Sequence, residues 1–139
     1  MNFLVDTNVL AELRKGARCD VNVGRWGGRT PATSMFVSVL TLGEIRKGIE
    51  SLRPKDPAQA AALEHWCQRV VAAFSGRVLP VDAAVADTWG RMSAGSPLPA
   101  IDGLLAATAQ THGLTLVTRN VRDFGRAGVD LLNPFDPAP

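Results

Sequence analysis

Four carboxylates, far apart in sequence and each at the seam of an element, carry the chemistry this chain can offer: Asp6, Glu44, Asp102 and Asp123. Asp6 ends the apolar run Phe3-Leu4-Val5, Glu44 follows Val37-Ser38-Val39 in a helical segment, Asp102 sits in Pro99-Ala100-Ile101-Asp102, and Asp123 comes after Leu116-Val117-Thr118. In an open α/β sheet, residues just beyond the carboxyl ends of parallel strands converge on one crevice, so four separate stations can build one acidic pocket. Carboxylates crowded together raise one another's pKa, and a hard divalent cation such as Mg²⁺ relieves that repulsion while taking oxygen ligands.

Each acid also has a structural reading. Asp6 can cap the helix after the first strand, and Glu44 stands three residues after Thr41, a capping-box spacing. Asp102 lies in a first helical turn, where the helix dipole favours negative charge, and Asp123 can be an ordinary loop residue. Together these readings weaken. Asp6 terminates a strand whose neighbours must be buried, and Asp102 interrupts a face made of Ile101, Leu105 and Ala106. Carboxylates in such places need a partner, because an unpaired buried charge is expensive, and a metal ion is one such partner.

The elements that must position them follow from hydrophobic spacing. Residues 2–5 read as a buried strand, followed by a helix through Val9, Leu10 and Leu13 that ends near Gly16. Asn22–Trp26 reads as a short helix closed by Gly27-Gly28, and Met35–Val39 as the second strand. Thr41 opens a helix carrying Leu42, Ile45 and Ile49, which Pro54 and Pro57 break; Ala58–Phe74 supplies the longest helix. Val78-Leu79 is a brief strand, Asp82 caps a helix through Val85 and Trp89 that fades at Ala94-Gly95, and Ser96–Pro99 is a turn. Pro99 suits the first turn of the next helix, which His112-Gly113 stops; Leu114–Thr118 and Leu131-Leu132 are the last strands. Strands alternating with helices argue for a parallel sheet covered on both faces.

Length bounds the rest. At 139 residues the chain fits one domain, assigned to 1–135 with 136–139 as a short tail, and the whole Pro-rich end from Asn133 need not pack. It shows no basic leader and no apolar stretch near the roughly 20 residues that span a bilayer, so the expected location is the cytoplasm. Cys19, Cys67, His65 and His112 have no zinc-ligand spacing, and the two thiols do not form a secreted disulfide framework. With four of 13 acids drawn into a pocket, 15 basic residues face nine acidic ones, a balance that suits a polyanion or reflects only the twelve arginines of a biased composition.

Some features remain open in both directions. Trp26, Trp66 and Trp89 can stack bases, although Trp66 and Trp89 occupy helical positions that favour burial. Val70, Val71 and Phe74 can join a dimer face or cover the sheet, and Arg46 and Lys47 can meet phosphate or form a solvated helix face.

Four segments, in order and at these separations, resemble the successive motifs of PIN-domain proteins. They are Phe3-Leu4-Val5-Asp6-Thr7-Asn8-Val9-Leu10, Ser38 through Gly48 with Glu44 inside it, Pro99 through Ala109 with Asp102, and Leu116 through Phe124 with Asp123. The closing Gly128-Val129-Asp130-Leu131-Leu132-Asn133-Pro134-Phe135 is similar to the FitB-like branch of VapC toxins. The resemblance implies a PIN-like, doubly wound α/β fold with a mostly parallel five-stranded sheet, usually dimeric. It implies a Mg²⁺- or Mn²⁺-dependent endoribonuclease acting as a toxin, with RNA as substrate and a small cognate antitoxin as partner. DNA is then reached only indirectly, through the antitoxin, and no membrane is involved.

Carried over by position, Asp6 and Asp102 are the metal ligands, Glu44 completes the pocket, and an acid after the fourth strand adds a further ligand directly or through water. Thr7, Asn8, Thr118 and Asn120 match polar motif positions that can orient carboxylates or metal-bound water. The last motif departs from part of the family, which has aspartate directly after Thr-Arg; here Asn120 stands there and Asp123 comes three residues later. Two other functions remain open at this point. One is a weakly catalytic partner that dimerises and holds a DNA-binding antitoxin on its operator, and the other is a PIN nuclease without an antitoxin.

Overall fold

The computed structural model describes residues 1–95 and 97–138. Five strands, β1 (Phe3–Val5), β2 (Met35–Ser38), β3 (Val78–Leu79), β4 (Thr115–Val117) and β5 (Leu131–Leu132), form one sheet in the order β3-β2-β1-β4-β5. Every pairing is parallel, which sharpens the mostly parallel expectation. The helices are α1 (Thr7–Leu13), α2 (Val21–Arg29), α3 (Val39–Leu52), α4 (Pro57–Ala73), α5 (Ala83–Ser93) and α6 (Ala100–His112).

Strand alternation sends Phe3 and Val5 to one face of the sheet and Leu4 to the other. Phe3, Val5, Val37 and Val117 pack with Val9 and Leu10 of α1, Val23 and Trp26 of α2, and Val70 and Phe74 at the end of α4. Leu4 and Leu116 meet Leu105, Ala106 and Ala109 of α6, and Phe124. Phe124 is only 1 % exposed, a burial that contributes on the order of 1.5–3 kcal/mol. A third cluster, Ile45, Ile49, Ala60 and Cys67, joins α3 to α4. The chain leaves β1 toward β2 on one side while β4 pairs on the other, so the order in which strands are added reverses between β1 and β4 and a crevice opens at their carboxyl ends. Val5 pairs with Val117, which sets Asp6 and Thr118 side by side at that crevice.

Several local expectations are corrected. β2 stops at Ser38, whose side chain accepts from the Leu40 N–H and caps α3, so the helix begins at Val39 and Thr41 is interior, fully buried and not a cap. The capping-box reading of Thr41 and Glu44 therefore falls. α2 runs from Val21 through Gly27 and Gly28 to Arg29 because Asp20 caps it and Val23 and Trp26 bury one side, which outweighs the glycine penalty. α1 ends at Leu13, with a separate 3₁₀ turn at Gly16–Arg18. Pro99 is the residue before α6, not inside it; at the other end Gly113 adopts φ 65°, the left-handed conformation that stops the helix. Of the expected turn Ser96–Pro99, Ser96 lies outside the described residues.

The chain end packs more than its composition suggests. Pro134 is buried and Phe135 rests on the core cluster around Phe3 and Trp26, whereas Asp136, Pro137 and Ala138 are exposed. Among the tryptophans Trp26 is the most enclosed, at 3 % exposure with its ring edge-on to Phe3. Val70 and Phe74 cover the sheet while Val71 points outward. Ile101, expected on the inner face of α6, is exposed. Among the described residues no helix is long and apolar enough to cross a membrane.

Candidate active site

Asp6 is the hub of the crevice. It follows β1, its backbone N–H donates to the Val117 carbonyl at 2.9 Å, and the residue is buried to 8 % exposure. Both of its carboxylate oxygens accept hydrogen bonds. Oδ1 accepts from the Thr7 N–H at 2.8 Å, as an N-cap for α1, and Oδ2 accepts from the Thr118 hydroxyl at 2.8 Å and from Asn8 Nδ2 at 3.4 Å. The capping and pocket readings of Asp6 thus hold together, because one oxygen serves the helix while both lie at the mouth of the sheet.

The surrounding polar residues close into one net. The Thr7 hydroxyl donates to Glu44 Oε1 at 2.8 Å, tying the first turn of α1 to α3. Asn8 Nδ2 also reaches Thr118 Oγ1 at 3.4 Å, while Asn8 Oδ1 accepts from the Arg119 N–H at 3.2 Å. Asn120 enters through its main chain, its N–H donating to Thr118 Oγ1 at 3.1 Å. Three motifs more than a hundred positions apart at the extremes are therefore joined within hydrogen-bond distance.

Asp102 approaches from the first turn of α6. Its carboxyl is pushed above the ordinary aspartate range, first by burial and then by the charges of Asp6 and Asp123. Asp102, Asp6 and Asp123 therefore share one electrostatic neighbourhood. Asp123, in the turn after β4, is exposed, and its N–H donates to the Asn120 carbonyl at 3.0 Å.

These donors suit a hard cation. All are carboxylate oxygens, they repel one another, and among the described residues they do not close into a compact cage of three acids. Mg²⁺ keeps several waters and needs only one or two carboxylates directly, so it does not require such a cage. Asp6 and Asp102 are the residues that could hold it, with Glu44 and Asp123 beside them.

Other candidates separate from the site. Arg46 pairs with Glu64 at 2.7 Å and Glu50 at 3.1 Å, so its guanidinium is committed to joining α3 and α4 and not to phosphate. Lys47 instead lines an open groove with Val39, Leu40, Gly43, Glu44 and Ile101, an apolar flank to the acidic crevice. Spacing alone could not separate Arg46 from Lys47. His65 and His112 are exposed on α4 and α6. Another open hollow, about 620 Å³, lies around Met1, Asn2, Thr30 and Ser34 near the amino ends of β1 and β2 and is lined by no carboxylate.

Comparison with known proteins agrees with this geometry. A model of the PIN domain matches residues 3–129. The chain is 32 % identical to the VapC ribonuclease Y4jK of Sinorhizobium fredii over 98 % of this chain and 99 % of the relative. It is 31 % identical to Toxin FitB of Neisseria gonorrhoeae, over 96 % of this chain and 98 % of that protein. The crystal structure of FitAcB from Neisseria gonorrhoeae superposes with a TM-score of 0.85 at 29 % identity, covering 96 % of this chain and 98 % of the other. DNA-bound VapBC from Salmonella typhimurium does so at 0.72 and 27 %, with coverage of 96 % and 98 %. With its motifs at the carboxyl ends of β1 and β4 and near-complete coverage of these relatives, the chain belongs to the PIN-domain family, beside the VapC ribonucleases and FitB.

Proposed function

We propose that this chain is a divalent-metal-dependent endoribonuclease and the toxin of a type II toxin–antitoxin pair. The observation that carries the chemistry is the Asp6-centred hydrogen-bond net at the carboxyl ends of β1 and β4, with Asp102 near enough to feel the charge of Asp6. Asp6 and Asp102 would hold Mg²⁺ or Mn²⁺, Glu44 would complete the charge of the pocket, and Asp123 would act directly or through water. Bound there, such an ion polarises a phosphoryl oxygen and lowers the pKa of coordinated water.

The protein's own part is orientation. Thr118 and the Thr7 N–H fix the plane of the Asp6 carboxylate, while the Thr7 hydroxyl fixes Glu44. Asn8 and the Asn120 N–H hold Thr118 in turn, the kind of outer support that typically matters 10–100-fold. Asp102, its carboxyl raised by burial and by the charges of Asp6 and Asp123, gains from a neighbouring positive charge.

The partners proposed are RNA as substrate, a small antitoxin, a second copy of the chain in a homodimer, and DNA through the antitoxin alone. The relatives named as a ribonuclease and a toxin, and the neighbours solved as FitAcB and DNA-bound VapBC, support this set. A cytoplasmic location follows from the substrate. The DNA-bound neighbour also favours a second contribution, in which the dimer holds the antitoxin on its operator. To test the catalytic reading, the purified chain, free of any partner, is mixed with structured RNAs across a Mn²⁺ or Mg²⁺ titration. Internal cuts that require the metal and stop in EDTA are expected, and robust cutting in EDTA contradicts the reading.

A further inference from the structure

We propose that Arg119 is a dedicated RNA-backbone anchor that grips a phosphate flanking the cleavage site. The proposal rests on the ribonuclease reading and adds a binding residue outside the carboxylate set.

The position follows from the end of β4. Thr118 and Arg119 both lie just past it, where the Thr118 hydroxyl goes to Asp6 while the Arg119 guanidinium carbon sits 4.4 Å from the centre of the Phe135 ring. That platform is fixed from several sides. The Arg119 N–H donates to Asn8 Oδ1 at 3.2 Å, and Asn133 Nδ2 donates to the Arg119 carbonyl at 3.5 Å. Asn133 Oδ1 accepts from the Phe135 N–H at 3.0 Å, and Asn22 Nδ2 donates to the Phe135 carbonyl at 2.8 Å. One asparagine thus spaces the arginine backbone from its aromatic seat, and α2 clamps that seat.

The guanidinium itself is free to bind. Arg46, Arg53 and Arg91 pair with carboxylates, and Arg77 donates to the main-chain carbonyls of Met35, Ala32 and Ala73. Among the described residues Arg119 has no carboxylate in ion-pair contact, although the residue is exposed. Glu12 is close enough to feel its charge but makes no ion pair with it, accepting instead from Lys15 Nζ at 2.9 Å and the Asp20 N–H at 2.9 Å. A planar fork stacked on a ring, with its in-plane N–H groups unclaimed, is the geometry for bidentate phosphate recognition. Its main chain is tied to Asn8 beside the crevice while its guanidinium lies on Phe135 and not on a site carboxylate, which assigns it a neighbouring phosphate, so it should act on binding more than on turnover.

The test measures equilibrium binding of a mixed-sequence single-stranded RNA in EDTA, and cleavage of the same RNA with Mn²⁺, for wild type and for Arg119→Ala, Arg119→Lys and Phe135→Leu. Arg119→Ala should weaken binding and raise KM by roughly tenfold with kcat changed far less. Its plot of log Kd against log salt should be shallower by about 0.7, the loss of one phosphate contact to a single strand. Arg119→Lys should recover the salt slope but only part of the affinity, since the charge returns without the fork. Phe135→Leu should fall between wild type and Arg119→Ala at an unchanged charge.

Unaltered affinity and slope in Arg119→Ala overturn the proposal. So does a fall in kcat alone, which would make Arg119 a brace for Asn8. A wild type that binds RNA through Arg119 yet never cleaves it defeats the ribonuclease reading while leaving the anchor in place.

Discussion

The Thr118 hydroxyl donates to Asp6 Oδ2 at 2.8 Å, across 112 positions of sequence, in a buried contact between the ends of two adjacent parallel strands. That hydrogen bond both orients the carboxylate and satisfies an otherwise buried hydroxyl. Thr118→Val should therefore cost about 1–3 kcal/mol, because a charged acceptor loses its donor, and should slow RNA cleavage by roughly 10–100-fold. Thr118→Ser should retain most of both. Chemical denaturation beside single-turnover cleavage checks the pair; a valine variant with wild-type rate would remove Thr118 from the catalytic support.

The fourth acidic position divides between two residues. Asp123 contributes to raising Asp102, whereas Asn120 reaches Thr118 only by its main-chain N–H. We therefore expect Asp123→Asn to raise the metal concentration needed for half-maximal cleavage and to slow the reaction less than Asp6→Asn does. Asn120→Asp should be tolerated or tighten metal binding, since it adds a carboxylate where a neutral carbonyl oxygen now stands. An unchanged Asp123→Asn enzyme beside an inactive Asn120→Ala one would transfer the role to Asn120.

Asp102 predicts an inverted stability effect. Its folded pKa is raised, so its protonated form stabilises the metal-free fold below the unfolded pKa, and that stability is lost as pH rises through the folded value. At neutral pH the ionised group is a burden unless a cation is bound. Metal-free Asp102→Asn should melt at or above the wild-type temperature at neutral pH, whereas added Mn²⁺ should raise the melting temperature of the wild type more than that of the variant. Equal metal-induced shifts in the two proteins would argue against Asp102 as a ligand.

A second pH effect has the opposite sign. The Arg46 guanidinium holds the Glu64 carboxyl down at about 2, and Arg53 adds to the effect. A depressed carboxylate contributes stability above its unfolded pKa and loses it as pH falls through the folded value. Thermal melts between about pH 5 and pH 2 should therefore fall more steeply for wild type than for Glu64→Gln, modestly and less so at high salt, because the pair is partly exposed. Parallel curves would mean that the pair contributes nothing to acid stability.

How much of this was legible in the sequence depended on whether local pattern or tertiary contact decided each element. The strands at Phe3–Val5 and Thr115–Val117 announce themselves because short apolar runs end in Asp6 and Thr118, so the crevice could be anticipated from strand ends alone. The start of α3 could not, since Ser38 and Thr41 are both good caps and only the Leu40 N–H contact selects Ser38. Gly27 and Gly28 suggested a helix end, yet Gly27 lies so close to Leu13 that a Cβ there would stand 2.9 Å from it. Close packing against α1 therefore explains what propensity reads as a break. Phe135 looked like part of a loose Pro-rich tail because its partners, Arg119, Asn133 and Asn22, are invisible to local composition. Arg46 stayed open between a phosphate contact and a solvated helix face for the same reason, its acid partner Glu64 lying on another helix.

The central claim, that Asp6 and Asp102 form one metal centre that drives RNA cleavage, is tested most directly by titrating Mn²⁺ into the wild type, Asp6→Asn and Asp102→Asn while reading metal binding and RNA cleavage in the same samples. The account predicts that wild-type cleavage rises with metal occupancy and vanishes in EDTA, and that each substitution abolishes cleavage and weakens binding in a protein that remains folded. Full cleavage by either variant, or cutting by the wild type without metal, would contradict it.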